Sequence, residues 1–218
     1  MTEQARQDLS GLQNDTIMSV ATIAADLHKV NHIAWNVSIT AKNAMIISAQ
    51  AGEIARGFQP ITRYIDDIAR LAMDTTDQVE RESIHLTRLS AHYLRTCDAF
   101  NRFNKVRQRG AGARYLASFL PLVDACHSQM QAEAAQLTHQ LDLLHDYMQE
   151  LNLNMDAALA VASVCRIEAS RAGEYRNNLM TVADGLEKAA RTIKHIVKQG
   201  LDRINTIDIK EISQEAIA

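Results

Sequence analysis

The residues best equipped for chemistry in this chain of 218 are eight histidines and three cysteines. His28 and His32 are spaced i, i+4, which puts two imidazoles on one helix face. Glu82 and His85 form an E-x-x-H unit, the spacing with which di-iron bundles hold metal from facing helices. Asp124 with His127 and Asp142 with His145 repeat that spacing with aspartate. A di-iron site also needs a second full unit and two further carboxylates at one height. If the helices are antiparallel and reverse near residue 110, Glu82 faces the region of His139, which has no acid partner. His28 and His32 stand far from that level. The ligands do not converge, so a metal-binding, di-iron-like bundle is the alternative reading, and surface or half-buried histidine is preferred. No cofactor is expected. Cys97, Cys126 and Cys165 are odd in number and lack C-x-x-C spacing, so they read as reduced core residues of a cytosolic protein. No Cys, Ser or Thr stands in a motif that would activate it, and a thin bundle offers little pocket volume. An enzyme is therefore not expected. Trp35 and the methionines fall on helical spacing and read as core.

The elements that must position these residues are helices. Two Pro, eight Gly and 5% aromatic residues argue against a sheet protein. Ala, Leu, Ile, Met, Gln, Glu and Arg dominate, all compatible with helices. A net charge of −3 implies no bulk attraction to nucleic acid or acidic lipid. No apolar run reaches the length of a membrane span, and no charged-then-apolar leader opens the chain. Val20, Ile23, Leu27, Val30, Ala34, Val37, Ala41, Ala44 and Ser48 recur at alternating steps of three and four, a heptad-like seam. The same spacing continues from Ile61 through Tyr64-Ile65, Ile68, Leu71-Ala72, Val79, Leu86, Tyr93 and Cys97 to Phe103. It resumes from Leu116 to Leu151 and again from Leu179 to Ile204. Helices are predicted over 2–51, 53–106, 113–172 and 174–210. Pro60 is placed in the first turn of the second helix, where a missing amide hydrogen is harmless. Pro121 is expected to kink or restart the third, and Asn152 with Asn154 marks a soft spot. Residues 107–114 read as a loop with two glycines, and 206–218 as a frayed polar tail.

The sharpest local signal is Asn43 to Phe58, NAMIISAQAGEIARGF. Gly52 can take the left-handed conformation that ends a helix, Glu53 suits a new helix N-terminus, and Gly57 loosens the turn. The stretch is the tip of a helical hairpin. Ala51-Gly52-Glu53 and Arg56-Gly57-Phe58, with Ile33-Ala34, Asn43-Ala44, Ile46, Ala49 and Ile68-Ala69, resemble without a gap the signalling tip of bacterial chemoreceptors, the methyl-accepting chemotaxis proteins. That tip reads N-A-A-I-E-A-A-R-A-G-E-x-G-R-G-F, followed by a long apolar helix. The likeness covers about forty residues.

A second stretch resembles the same tip. Glu168, Ala169, Arg171, Ala172, Gly173, Glu174, Val182, Ala183, Asp184, Lys188 and Ala190 match it. Gly52 and Gly173 are 121 positions apart (173 − 52), and at that offset Asn31/Asn152, Ala41/Ala162, Ile46/Ile167, Ala51/Ala172, Glu53/Glu174, Ala69/Ala190 and Arg70/Arg191 are also identical. We read an internal duplication, with hairpin one over 1–110 and hairpin two over 111–218 of a single helical-bundle domain.

The resemblance implies an all-α fold: an elongated, antiparallel four-helix bundle or coiled coil, up-down-up-down, with both tips at one end. A receptor tip is a dimer of such hairpins, so one chain carrying two would be a monomeric pseudo-dimer. The implied partners are the chemotaxis histidine kinase, its coupling protein or chemoreceptor tips, with Asn43, Glu53, Arg56, Phe58, Glu168, Arg171 and Glu174 as the contact residues. Asn43, Arg56 and Phe58 are expected to serve contact, because a bundle needs none of them for stability. Gly52, Gly57 and Gly173 are structural. Both copies depart from the family. Ile47 and Gln50 replace the tip Glu and Arg, Lys42 an apolar contact, and Pro60 a small apolar residue. In the second copy Val164 replaces the Asn, and Asn177-Asn178-Leu179 replaces R-G-F. No family-type methylation segment or C-terminal tether is recognisable. The expected role is a cytoplasmic, non-catalytic signalling or scaffold protein. The bland alternative is a helical scaffold with an unrelated partner.

Overall fold

In a computed structural model of the chain, the described residues are 3–109 and 116–207, with side chains over 18–109 and 118–207. All regular structure among them is helical: α1 (Glu3–Gln50), α2 (Phe58–Arg109), α3 (Leu116–Ser170) and α4 (Arg176–Asn205). Short 3₁₀ turns, Gly52–Ala55 and Gly173–Tyr175, join α1 to α2 and α3 to α4. At about 1.5 Å per residue, the 48 residues of α1 extend about 72 Å.

Strict seven-residue spacing explains why such long helices stay amphipathic. On α2, Phe58, Ile65, Ala72, Val79, Leu86, Tyr93 and Phe100 are all buried. A second buried row, Thr62, Ala69, Thr76, Ser83, Ser90 and Cys97, runs beside it. On α3 the rows are Met130 to Cys165 and Leu141 to Ala169, each in steps of seven. A period of 3.5 keeps both rows on the facing seam only if the helices supercoil to the left.

The helices form two compact units. One comprises Ile23–Arg81 and His145–Asp202; the other comprises Met1–Thr22, Glu82–Leu144 and Arg203–Ala218. The first holds both 3₁₀ turns, and four antiparallel helical segments pack within it. Ser38 donates to Asp66 between α1 and α2 at 2.6 Å, and Arg166 donates to Asp184 between α3 and α4 at 2.8 Å. Gly200 of α4 packs against Met148 of α3 and Ile23 of α1. Nearer the turns, α1 and α3 contribute small core residues, Ala34, Ala41, Ala44 and Ser48 with Ala158, Ala162, Cys165 and Ala169. Phe58, Ile65 and Ile68 on α2, with Leu179 and Leu186 on α4, fill the space those small residues leave. In the second unit, α2 and α3 meet through Phe103 edge-on to Phe119 and Phe100 stacked on His127. His92 and Gln129 both hold the buried Glu133 carboxylate, at 2.7 and 2.9 Å.

Buried positions recur at the offset of 121. Val20/Leu141, Ile23/Leu144, Leu27/Met148, Val30/Leu151, Ala41/Ala162, Phe58/Leu179, Ile65/Leu186 and Thr76/Val197 are buried in both members. The all-α, antiparallel four-helix fold matches the expectation. Several finer expectations do not hold. The second helix begins at Phe58 rather than at residue 53, after a 3₁₀ turn, and includes Arg107 and Arg109. The remainder of the expected 107–114 loop, from 110, lies outside the described residues, as does the tail from 208. Pro60 is indeed the third residue of α2, but Pro121 lies inside an unbroken α3, and Asn152 and Asn154 cause no break. Trp35 is 53% exposed, Tyr64 51% and Leu71 41%, so none is core. Met18 is also exposed, whereas Met130, Met148 and Met155 are buried as expected.

Candidate interaction site at the helix turns

The two turns are built alike. The Ala51 amide closes the end of α1 on the Ile47 carbonyl at 3.0 Å, and Gly52 then takes φ +58°. The Ala172 amide bonds the Ala169 carbonyl at 3.1 Å, and Gly173 takes φ +55°. A side chain at either glycine would press its Cβ on the backbone, which is why both are glycine. The restart differs. After Gly173, α4 begins at Arg176; after Gly52, α2 waits until Phe58.

The turns touch each other. A Cβ on Gly173 would lie 3.6 Å from Ile54 Cγ2, and one on Gly57 would lie 2.5 Å from Glu168 Oε2. Gly57 thus lies against the far end of the Glu168 side chain, which a Cβ there would displace. Ion pairs frame the contact: Arg56 with Glu53 at 3.2 Å, and Arg171 with Glu168 at 3.3 Å. Each pair comes from the half of the motif that its own hairpin keeps. Equivalent positions in the other hairpin hold Asn177 opposite Arg56, Ile47 opposite Glu168 and Gln50 opposite Arg171.

Of the predicted contact residues, Asn43, Glu53, Arg56, Arg171 and Glu174 are exposed, and Glu168 is half-buried. Phe58 is different: at 1% exposure it is a core residue in the first turn of α2. The expectation that the bundle does not need Phe58 is thus overturned. Its spacing of seven from Ile65 and Ala72 was the available signal. Missed altogether were the exposed apolar residues around the turns. Ile46 is 59% exposed and Ile54 59%; Val164 and Ile167 are exposed on α3. Ile46 and Ile167 occupy equivalent positions 121 apart. Along α1 the exposed apolar face continues through Ile39 to Trp35, whose ring leans on His32.

Behind the turns, charged side chains tie α3 to α4. Arg166 donates to Asp184 and also pairs with Glu187, which Arg191 holds at 2.8 Å. Hydrogen bonds to Asp184 and then Glu187 raise the Arg166 pKa, and those from Arg191 and then Arg166 lower that of Glu187. Lys194 pairs with Asp156 one step further along. On the other hairpin, Arg70 holds the buried Asp66 at 2.8 Å.

The candidate metal ligands do not assemble. His28, His32, His85 and His139 are exposed. His32 bonds Asn36, His127 stacks on Phe100, and His145 lies 3.8 Å from Asp146 on its own helix. Among the described residues, no group of three or more His, Cys, Asp or Glu side chains could hold a metal ion. Among them too, no helix is long and apolar enough to cross a membrane. Cys97 and Cys165 are buried, and desolvation pushes both thiols up to about 11. Cys126 is only half-buried, so it is not a full core residue; its thiol donates toward the Thr96 carbonyl at 3.7 Å.

The sequence is similar to the methyl-accepting chemotaxis protein NahY of Pseudomonas putida, with 24% identity over 202 residues. That alignment takes in 89% of this chain and 32% of NahY, so the chain spans about a third of the relative's length. No known family profile matches the chain. No solved structure matches it either.

Proposed function

We propose that this chain is a non-catalytic, cytoplasmic signalling or scaffold protein that presents a paired chemoreceptor-like tip. Its partners would be the chemotaxis histidine kinase, the coupling protein or receptor tips. The observation that carries the reading is the abutment of the two turns, Ile54 against Gly173 and Glu168 against Gly57. A single chain thereby offers one continuous surface where Asn43, Glu53, Arg56, Arg171 and Glu174 surround exposed Ile46, Ile54 and Ile167. Apolar centres rimmed by charge are the usual composition of an interface. The likeness to NahY across most of this chain supports the same direction. Recurrence of buried positions and of the positive-φ glycines at one offset supports descent from a duplicated hairpin. The two copies act together as a monomeric pseudo-dimer, by scaffolding or by competition at a tip surface.

The test is a pull-down of the purified chain with the host's kinase, coupling protein and receptor signalling domains, with light scattering on the same sample. Capture of at least one by a monomeric chain is expected. Capture should drop at least tenfold in Arg56→Ala/Arg171→Ala, with the thermal midpoint unchanged. No capture of any of the three removes the reading.

A further inference from the structure

Away from the turns, on the flank of the unit formed by Ile23–Arg81 and His145–Asp202, a recess of about 500 Å³ opens between α1 and α4. Its apolar wall is made by Ile33 and Val37 of α1, Ile65 of α2, and Leu186 of α4. Asn36 and Lys188 stand among the lining residues, and Lys188 supplies the charge there. We propose that this recess binds a small amphipathic carboxylate, its apolar part against Val37, Ile65 and Leu186 and its anionic end at Lys188.

Three observations point to a built site. The first is Gly185. It lies ten residues into α4, where glycine is among the poorest helix formers. Among the described residues, Gly52, Gly57, Gly173 and Gly200 each have a positive φ or a neighbour at the Cβ position. At Gly185 neither holds, because nothing comes within 4 Å of an added Cβ. The missing side chain serves no close packing; its effect is to leave the recess open. The second is a one-sided difference between the hairpins. Positions 121 earlier on α2 hold Tyr64, Ile68 and Leu71 where α4 holds Gly185, Ala189 and Thr192. The recess thus lies beside smaller residues than those α2 holds at the matching positions. The third is charge. Asp184 and Glu187 on α4 are engaged by Arg166, Arg191 binds Glu187, and Lys194 binds Asp156. Lys188 sits in the middle of these pairs with no acidic partner among the described residues. An unpaired cation beside an apolar wall of this volume suits a ligand with one negative end and a short apolar body. A neutral apolar ligand would leave Lys188 unused, and a dianion would face only one cation.

Isothermal titration of the full chain with sodium decanoate tests the assignment, with decanol as the uncharged counterpart. Saturable one-to-one binding is expected for decanoate, and binding at least tenfold weaker for decanol. Gly185→Tyr introduces the residue type found 121 positions earlier, points into open space and replaces a poor helix former. It should abolish binding while leaving the helical circular dichroism and thermal midpoint at or above those of the parent. Lys188→Gln should weaken decanoate at least tenfold and leave decanol unchanged. Absence of saturable decanoate binding overturns the proposal, as does binding that survives Gly185→Tyr or that is indifferent to Lys188→Gln. Tip binding by Arg56 and Arg171 is a separate readout, so failure here leaves that reading untouched.

Discussion

Phe58 holds the first turn from inside. Its ring is almost wholly buried, and Phe58→Ala should cost about 3–5 kcal/mol, the usual range for emptying an aromatic core site. Urea unfolding checks this, and a loss below about 1 kcal/mol would show that the ring is dispensable. Arg56, two residues earlier, is the opposite case. Its side chain is 75% exposed and its ion pair with Glu53 lies in solvent, so Arg56→Ala should change stability by less than about 0.5 kcal/mol. Both residues belong to the same motif, and the motif alone does not separate them. Heptad phase does: position 58 falls in register with Ile65 and Ala72, and position 56 does not. Trp35 shows the converse. Helical spacing suggested core, but the buried row on α1 passes through Ala34 and Ser38, leaving position 35 outside. A hydrophobic residue one step off the seam looks much like one on it when only the 3.6-residue rhythm is counted.

At the scale of elements, the turns and the prolines carry the predictions. Gly52→Ala and Gly173→Ala each place a Cβ at positive φ and should each cost about 1–2 kcal/mol. Equal costs would accord with the matched geometry of the two turns. Pro121 sits in the second turn of α3, where it removes a backbone hydrogen bond. Pro121→Ala should therefore raise stability, by up to about 3 kcal/mol, read as a higher midpoint in thermal unfolding. Pro60, within the first turn of α2, carries no such penalty, and Pro60→Ala should be close to neutral. Helix existence, order and approximate length were legible in the sequence because seven-residue spacing and the A-G-E turns are strong local signals. The delayed start of α2 was not. Four residues of 3₁₀ turn, Gly52–Ala55, come before it, and no residue type in that stretch marks the difference from the second turn. The unbroken passage of α3 through Pro121 was not legible either, since packing along the rest of a long helix can outweigh one unfavourable residue.

For the molecule as a whole, each compact unit contains one deeply buried thiol, Cys97 in one and Cys165 in the other. Both are pushed up to about 11 from an ordinary value of 9.0, chiefly because burial disfavours the thiolate. A thiol whose pKa is higher in the folded state contributes stability that is fully present below the unfolded value and is lost as pH rises through the folded one. Stability should therefore fall between about pH 9 and 11, by roughly 2–3 kcal/mol for each thiol. Cys97→Ser/Cys165→Ser should flatten that part of a denaturation profile, even though it lowers stability at neutral pH. The four helices followed from composition and periodicity, and the turns and the bundle from a resemblance carried by a specific motif. The recess beside Gly185 did not, because it depends on what α1 and α2 place opposite α4.

Glu168 reaches the space beside Gly57, while the position 121 residues earlier holds Ile47. In an assembly of two identical hairpins every substitution appears twice, so a glutamate at one turn demands a glutamate at the other. A covalently joined pair is free of that rule. It can place an acid on one side, an isoleucine on the other, and a tyrosine on a single flank. Such a surface lacks the two-fold symmetry of a homodimer, so its two flanks are chemically distinct.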